Sequence, residues 1–214
     1  MSDRITFTLD GETVTAAAGE TIWEVANGRG LIIPHLCHKP EPGYRSDGNC
    51  RACVVEVAGE RVLAPSCCRN ISPGMQVNTI SERAQTSQKM VVELLLSDMP
   101  DDGFKWHDGQ QRLPHGELSM WAQKLAIQVR PELKELKRPE IPPDYSHPAM
   151  AVNLNACIQC NRCVRACREE QVNDVIGYAM RGSDSQIVFD IDDSMGSSTC
   201  VACGECVQAC PTGA

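Results

Sequence analysis

Two gap-free copies of one cysteine run constrain this 214-residue chain more than anything else in it. Ala156 to Cys167 reads ACIQCNRCVRAC, and Thr199 to Cys210 reads TCVACGECVQAC. All four cysteines of each copy align, as do Val164 with Val207 and Ala166 with Ala209. Two copies of one short unit imply a pseudo-symmetric domain. The strand candidates Val175 to Ala179 and Gln186 to Asp190 separate the two cysteine loops.

Each copy has the spacing C-x2-C-x2-C-x3-C, the run of bacterial two-cluster ferredoxins. Three cysteines two residues apart wrap a tight loop round one face of a cubane. The fourth, expected at the start of a helix, points away and serves the other cubane. The expected sets are therefore Cys157, Cys160, Cys163 and Cys210 for one [4Fe–4S] cluster, and Cys167, Cys200, Cys203 and Cys206 for the second. Zinc sites commonly use paired C-x2-C units and have no use for this repeated run.

The other five of the thirteen cysteines lie between Cys37 and Cys68, and none lies between Cys68 and Cys157. Cys37, Cys50, Cys53 and Cys67 form C-x12-C-x2-C-x13-C. Plant-type [2Fe–2S] proteins use C-x4-C-x2-C and a distant fourth cysteine, so the shared element is a C-x2-C pair flanked on both sides. The loop from His38 to Asn49 holds Pro40, Pro42, Gly43 and Gly48, and its glycines let backbone N–H groups approach an anionic cluster. Zinc would also suit this spacing taken alone. Either Cys67 or Cys68 can complete the set, because neighbours on a strand face opposite ways. The other is then a small buried apolar side chain.

Clustered cysteines mean different things in different compartments. The chain opens MSDRITFTLDGE, without an apolar signal region, and has no run of 18 apolar residues. A soluble protein of a reducing cytoplasm is expected, where such cysteines are metal ligands rather than crosslinks. The formal net charge of −8 speaks against nucleic-acid binding. No catalytic site is expected either. No nucleophile–base pair stands out, and the GRG of Gly28 to Gly30 lacks the third glycine of a dinucleotide loop.

An α+β fold is expected in three parts. Residues 1–97 read as a compact [2Fe–2S] ferredoxin-like domain of β-grasp type. Ile5, Phe7 and Leu9 alternate with polar residues as a half-buried strand, Asp10-Gly11 turns, and Thr13 to Thr15 return. Glu20 to Ala26 suits a helix stopped by Asn27-Gly28. Val54 to Val57 and Arg61 to Leu63 suggest a hairpin round Gly59. Ser81 opens a longer helix with Met90, Val91, Leu94 and Leu95 on one face. Residues 98–148 hold seven of the thirteen prolines and read as a linker with one helix near Glu117 to Ile127. Residues 149–214 form the two-[4Fe–4S] bacterial-ferredoxin-like domain.

At these motifs the chain resembles a known family. SHPAMAVNLNACIQCNRCVRACREEQVNDVIGYAMRG and IVFDIDDSMGSSTCVACGECVQACPTGA are similar to the iron–sulfur portion of the α subunit of NAD-dependent molybdenum or tungsten formate dehydrogenase. IIPHLCHKPEPGYRSDGNCRACVVEVAGERVLAPSCCRN resembles the same subunit and, more distantly, the large iron–sulfur subunit of respiratory complex I and the iron–sulfur subunit of hydrogenase diaphorases. The resemblance implies Cys67 as the fourth [2Fe–2S] ligand, after Ala64-Pro65-Ser66. It also implies electron transfer from a formate-oxidising molybdopterin domain or subunit, through these clusters, to a flavin- and NAD-binding partner. A hydrogenase-type diaphorase role is the alternative, and a redox sensor a more remote one. Two departures stand out. Many relatives bind an extra [4Fe–4S] cluster with His and three Cys after the long helix. Here that stretch offers only His107 and His115, expected to be plain surface residues. Family α subunits also continue into the molybdopterin domain, whereas this sequence ends at Ala214, as a fragment, a split-gene product or a small stand-alone subunit would.

Overall fold

The computed structural model describes residues 4–100 and 116–214. The chain divides into two compact units. Unit 1 runs to His38 and resumes from Ser46 to Val92; unit 2 comprises Lys39–Arg45 and the chain from Glu93 onward. His107 and His115 lie outside the described residues.

Unit 1 begins with the expected hairpin. In β1 (Arg4–Leu9), Phe7 and Leu9 are buried and Arg4 is exposed, as period-2 alternation requires. Leu9 pairs with Glu12 of β2 (Glu12–Ala17), leaving a two-residue turn. Asp10 and Gly11 both take positive φ, 50° and 88°, the conformation whose twist matches a hairpin.

The first helix differs from its sequence reading at both ends: α1 spans Ile22–Gly28. Thr21 starts it through a capping box, accepting from the Glu24 N–H while the Glu24 carboxylate accepts from the Thr21 N–H at 2.7 Å. Gly30, not Gly28, ends it. Gly30 has φ 77°, its N–H donates to the Asn27 carbonyl, and the Leu31 N–H donates back to Ala26, closing a Schellman turn.

The second hairpin is also shifted. β3 (Val54–Val57) pairs with β4 (Ala64–Pro65), and Arg61 to Leu63 are loop. β5 (Gln76–Asn78) completes a five-stranded sheet of order β2-β1-β5-β3-β4, in which β1 and β5 are parallel. This mixed sheet with α1 packed against it is the β-grasp arrangement. Its core holds Phe7, Leu9, Ile22, Trp23, Val55 and Val77. Burial of each large side chain contributes about 1.5–3 kcal/mol before entropy is counted.

α2 (Glu82–Ser97) starts after Ser81, whose hydroxyl accepts from the Ala84 N–H. The buried stripe is Ala84, Gln88 and Val92, not the stripe read from the apolar residues; Met90 and Leu94 are about half exposed. The pattern misled because a polar residue is buried. The Gln88 amide is satisfied by donating to the Val54 carbonyl at 2.8 Å, which anchors the helix to β3.

Unit 2 contains α3 (Gly116–Lys124), the four-residue α4 (Pro131–Lys134), α5 (Arg162–Arg165), the hairpin of β6 (Ile176–Ala179) and β7 (Gln186–Phe189), and α6 (Glu205–Ala209). α3 matches the helix expected near Glu117 and buries Leu118 and Trp121. Its first N–H groups, on Glu117 and Leu118, donate to the carbonyl of Pro211, next to Cys210. Gly116, at φ 84°, abuts that same carbonyl, so a side chain there would collide with it. Val175, Ile176, Ile187, Phe189 and Met195 form the core against which the cysteines lie.

Candidate functional site

Unit 1 gathers Cys37, Cys50, Cys53 and Cys67. Three of these are essentially inaccessible and Cys50 is half-buried. Their thiols lie within hydrogen-bonding reach of one another: Cys37 meets Cys50 and Cys67, and Cys53 meets Cys67. Hydrogen bonds from Cys50 and Cys67 hold the Cys37 thiol well below its ordinary range, and contacts with Cys37 and Cys53 push Cys67 up. The Cys37 N–H also points at the Cys50 sulfur, 3.4 Å away.

Trp23 braces this site from behind. Its ring lies edge-on to His35 and His38, with centroids 4.7 and 4.6 Å away, and its indole N–H donates to the Ile33 carbonyl. Its backbone N–H donates to Ser66, beside Cys67. Sequence reading missed this role, although a tryptophan inside ETIWEVA was its available signal. Cys67 and Cys68 sit in a turn rather than on a strand, yet they diverge: Cys67 is buried, and Cys68 is exposed with its sulfur against Gly48. The spare cysteine is thus not the buried apolar filler expected. Gly43 belongs to unit 2, where it lies against the Glu170 carboxylate.

Unit 2 gathers the other eight. The Cys163 thiol is pushed up by burial and then by Cys160, Cys157 and Cys210 around it. Burial likewise pushes Cys206 up to about 11, with Cys200, Cys203 and Cys167 as its charged neighbours. Cysteines of both copies therefore surround Cys163, Cys206 among them, and cysteines of both copies surround Cys206. A cavity of about 300 Å³ opens beside Cys157, Cys160, Cys163 and Cys210, walled by Ile176, Tyr178, Ile187 and Phe189. A smaller one opens beside Cys167, Cys200, Cys203 and Cys206.

Backbone geometry repeats between the copies. Gln159 and Asn161 have positive φ in the first loop, as do their counterparts Ala202 and Gly204 in the second. These left-handed residues turn N–H groups inward. Gln159 donates to Cys157 sulfur at 3.3 Å and Ala202 to Cys200 sulfur at 3.4 Å. The fourth cysteines are served too, by Val175 on Cys167 at 3.3 Å and Ala214 on Cys210 at 3.2 Å. The expectation of a fourth cysteine at a helix start holds for Cys167, the second residue of a π-helical turn (Ala166–Glu170) that continues α5, but not for Cys210, which caps the end of α6. The short helix carries the chain from the third cysteine across to the other group.

These sites fit iron–sulfur clusters. The donors are all thiols, backbone N–H groups point at the sulfurs, and apolar walls exclude water. Among the described residues, no three His, Cys, Asp or Glu side chains close on one point as a single metal ion would need. A [2Fe–2S] cluster takes two thiolates per iron and a cubane one, so neither requires that.

Residues 2–82 match the family model for the 2Fe-2S iron-sulfur cluster binding domain, and residues 156–214 match that for the 4Fe-4S dicluster domain. The chain joins a [2Fe–2S] domain to a two-[4Fe–4S] ferredoxin-like domain. It is an iron–sulfur electron-transfer module with three clusters, one [2Fe–2S] and two [4Fe–4S]. NADP-reducing hydrogenase subunit HndD of Solidesulfovibrio fructosivorans is 32% identical over 98% of this chain and 35% of that protein. The mitochondrial NADH-ubiquinone oxidoreductase 78 kDa subunit of Candida albicans is 29% identical over 97% of the chain and 28% of that protein. The chain thus spans about a third of these relatives' length. Among solved structures, a crystal structure of an NAD+-reducing [NiFe]-hydrogenase in the H2-reduced state superposes with a TM-score of 0.82. It is 29% identical and covers 98% of this chain and 86% of the matched chain.

No helix among the described residues is long and apolar enough to cross a membrane.

Proposed function

We propose that this chain relays single electrons within an NAD-linked dehydrogenase complex of the cytoplasm, between a formate-oxidising molybdopterin domain or subunit and a flavin- and NAD-binding partner. The carrying observation is the three groups of thiols with backbone N–H groups directed at their sulfurs. We assign Cys37, Cys50, Cys53 and Cys67 to the [2Fe–2S] cluster. Cys157, Cys160, Cys163 and Cys210 hold one cubane, and Cys167, Cys200, Cys203 and Cys206 the other. Residues 1–97 and 149–214 carry these sites, joined by 98–148.

Bound clusters supply one-electron chemistry with little rearrangement. The residues of this chain do the rest. Thiolates fix the irons, inward N–H groups offset their negative charge, and buried walls limit water. The formate half of the proposal rests on the sequence resemblance at the paired cysteine runs. The extent of likeness to the hydrogenase chain, nearly complete in both directions, favours a second reading in which hydrogen is the electron source.

The test is NAD reduction by the complex purified through this chain. Formate-dependent reduction supports the first reading, and hydrogen-dependent reduction replaces it with the second. The isolated chain should oxidise neither, and formate-dependent dye reduction by this chain alone would contradict the assignment of catalysis elsewhere.

A further inference from the structure

Cys157 and Cys200 open the two cysteine runs at equivalent positions, but they are seated by different means. Cys200 is held by its own turn. Thr199, just before it, donates its N–H and its hydroxyl to the Asp190 carboxylate at 2.6 and 2.9 Å, and the Cys200 N–H donates to the Ser198 hydroxyl. Cys157 takes a support from outside its run. The Arg138 guanidinium donates to the Cys157 carbonyl at 2.8 Å, from 19 positions upstream. Arg138 lies in the proline-rich stretch read from sequence as a linker.

That stretch is fastened where it delivers Arg138. The Asn155 side chain accepts from the Ile141 N–H and donates to the Ile141 carbonyl, each at 2.8 Å. Residues 138–141 are thus laced to 155–157 by a side chain from each segment. The Arg138 side chain is 30% exposed, and its Nε lies 3.3 Å from the Asp98 carboxylate. Its charge is met by Asp98. What distinguishes it is direction: one N–H is aimed at the backbone of a residue whose sulfur joins a thiol group. Two cavities, of about 200 and 230 Å³, open beside Cys157 and Gln159 with Arg138 in the walls of both. Close packing alone therefore does not fix Cys157 on that side.

We propose that Arg138 is a positioning residue for the [4Fe–4S] cluster of Cys157, Cys160, Cys163 and Cys210, seating the first ligand of that set through its carbonyl. The inference rests on the ligand assignment above. Arg138 acts through Cys157 and takes no part in ligation. An outer hydrogen bond that orients a metal ligand is worth about 10–100-fold in metal affinity. A charged donor makes a stronger bond than a neutral amide does, and a guanidinium keeps its charge at any working pH. The other cubane, whose Cys200 is seated through Asp190 and Ser198, does not depend on Arg138.

The experiment follows iron release into excess chelator from anaerobically purified, cluster-loaded wild type, Arg138→Gln, Arg138→Lys and Asp98→Asn, with EPR spectra of the reduced proteins. Arg138→Gln should release four of the ten irons about tenfold faster than wild type, while the other six leave at the wild-type rate. Its EPR spectrum should change in one cubane signal only. Arg138→Lys keeps a charged donor and should restore most of the slow release. Asp98→Asn leaves the carbonyl bond in place and should behave as wild type. A wild-type rate in Arg138→Gln, a fast phase that takes in both cubanes or the [2Fe–2S] irons, no rescue by lysine, or equal acceleration in Asp98→Asn overturns the proposal. Should Arg138→Gln not retain clusters at all, Asn155→Ala, which frees residues 138–141 and leaves Arg138 intact, decides by the same four-iron phase. Wild-type protein with no cubane signals would refute the cluster reading itself, a result distinct from equal release rates.

Discussion

Removing the Trp23 side chain should expose the [2Fe–2S] site without touching a ligand. Trp23 is 5% exposed and contacts both segments that carry ligands: 33–38 through its ring, and Ser66 through its backbone. Trp23→Ala leaves that backbone bond but removes the ring and its N–H donor. Truncating a buried tryptophan costs about 3–5 kcal/mol, and each edge-on ring contact is about 0.5–1.5 kcal/mol of such a loss. Because unit 1 and unit 2 need not unfold together, a single unfolding free energy is a poor readout. The rate at which a chelator bleaches the [2Fe–2S] absorbance is better, since it follows the population of the opened loop. Lowering the opening free energy by about 3 kcal/mol raises that population roughly a hundredfold, at about 1.4 kcal/mol per decade. Trp23→Ala should therefore bleach about a hundred times faster than wild type. Val62→Ala, at an exposed residue of the same unit, should not. A Trp23→Ala rate within a few-fold of wild type would refute the bracing role.

Cys67→Ser should abolish the [2Fe–2S] EPR signal and lower the iron content by two, whereas Cys68→Ser, at the exposed neighbour, should leave both unchanged; the reverse pattern would move the ligand to Cys68. Thr21→Ala removes the side-chain half of the capping box and should destabilise unit 1 by about 1 kcal/mol, read as amide exchange along α1, and Thr21→Ser should restore most of it.

The sequence was most readable where local chemistry dictates structure. The paired positive-φ demands of Asp10-Gly11 left one sensible turn. It was least readable where a long-range partner decides. The apolar stripe read along α2 left out Gln88, whose partner, the Val54 carbonyl, lies 34 positions away. Arg61 to Leu63 looked like a strand, but β3 pairs further on, at Ala64 and Pro65. The Arg162–Glu117 pair had no local signal, since its two members are 45 residues apart.

The most direct test of the three-cluster account is an iron and acid-labile sulfide count on anaerobically purified protein, with zinc measured alongside. One [2Fe–2S] and two [4Fe–4S] clusters require ten irons and ten sulfides per chain, with no zinc. Iron near zero with stoichiometric zinc would contradict the electron-transfer account.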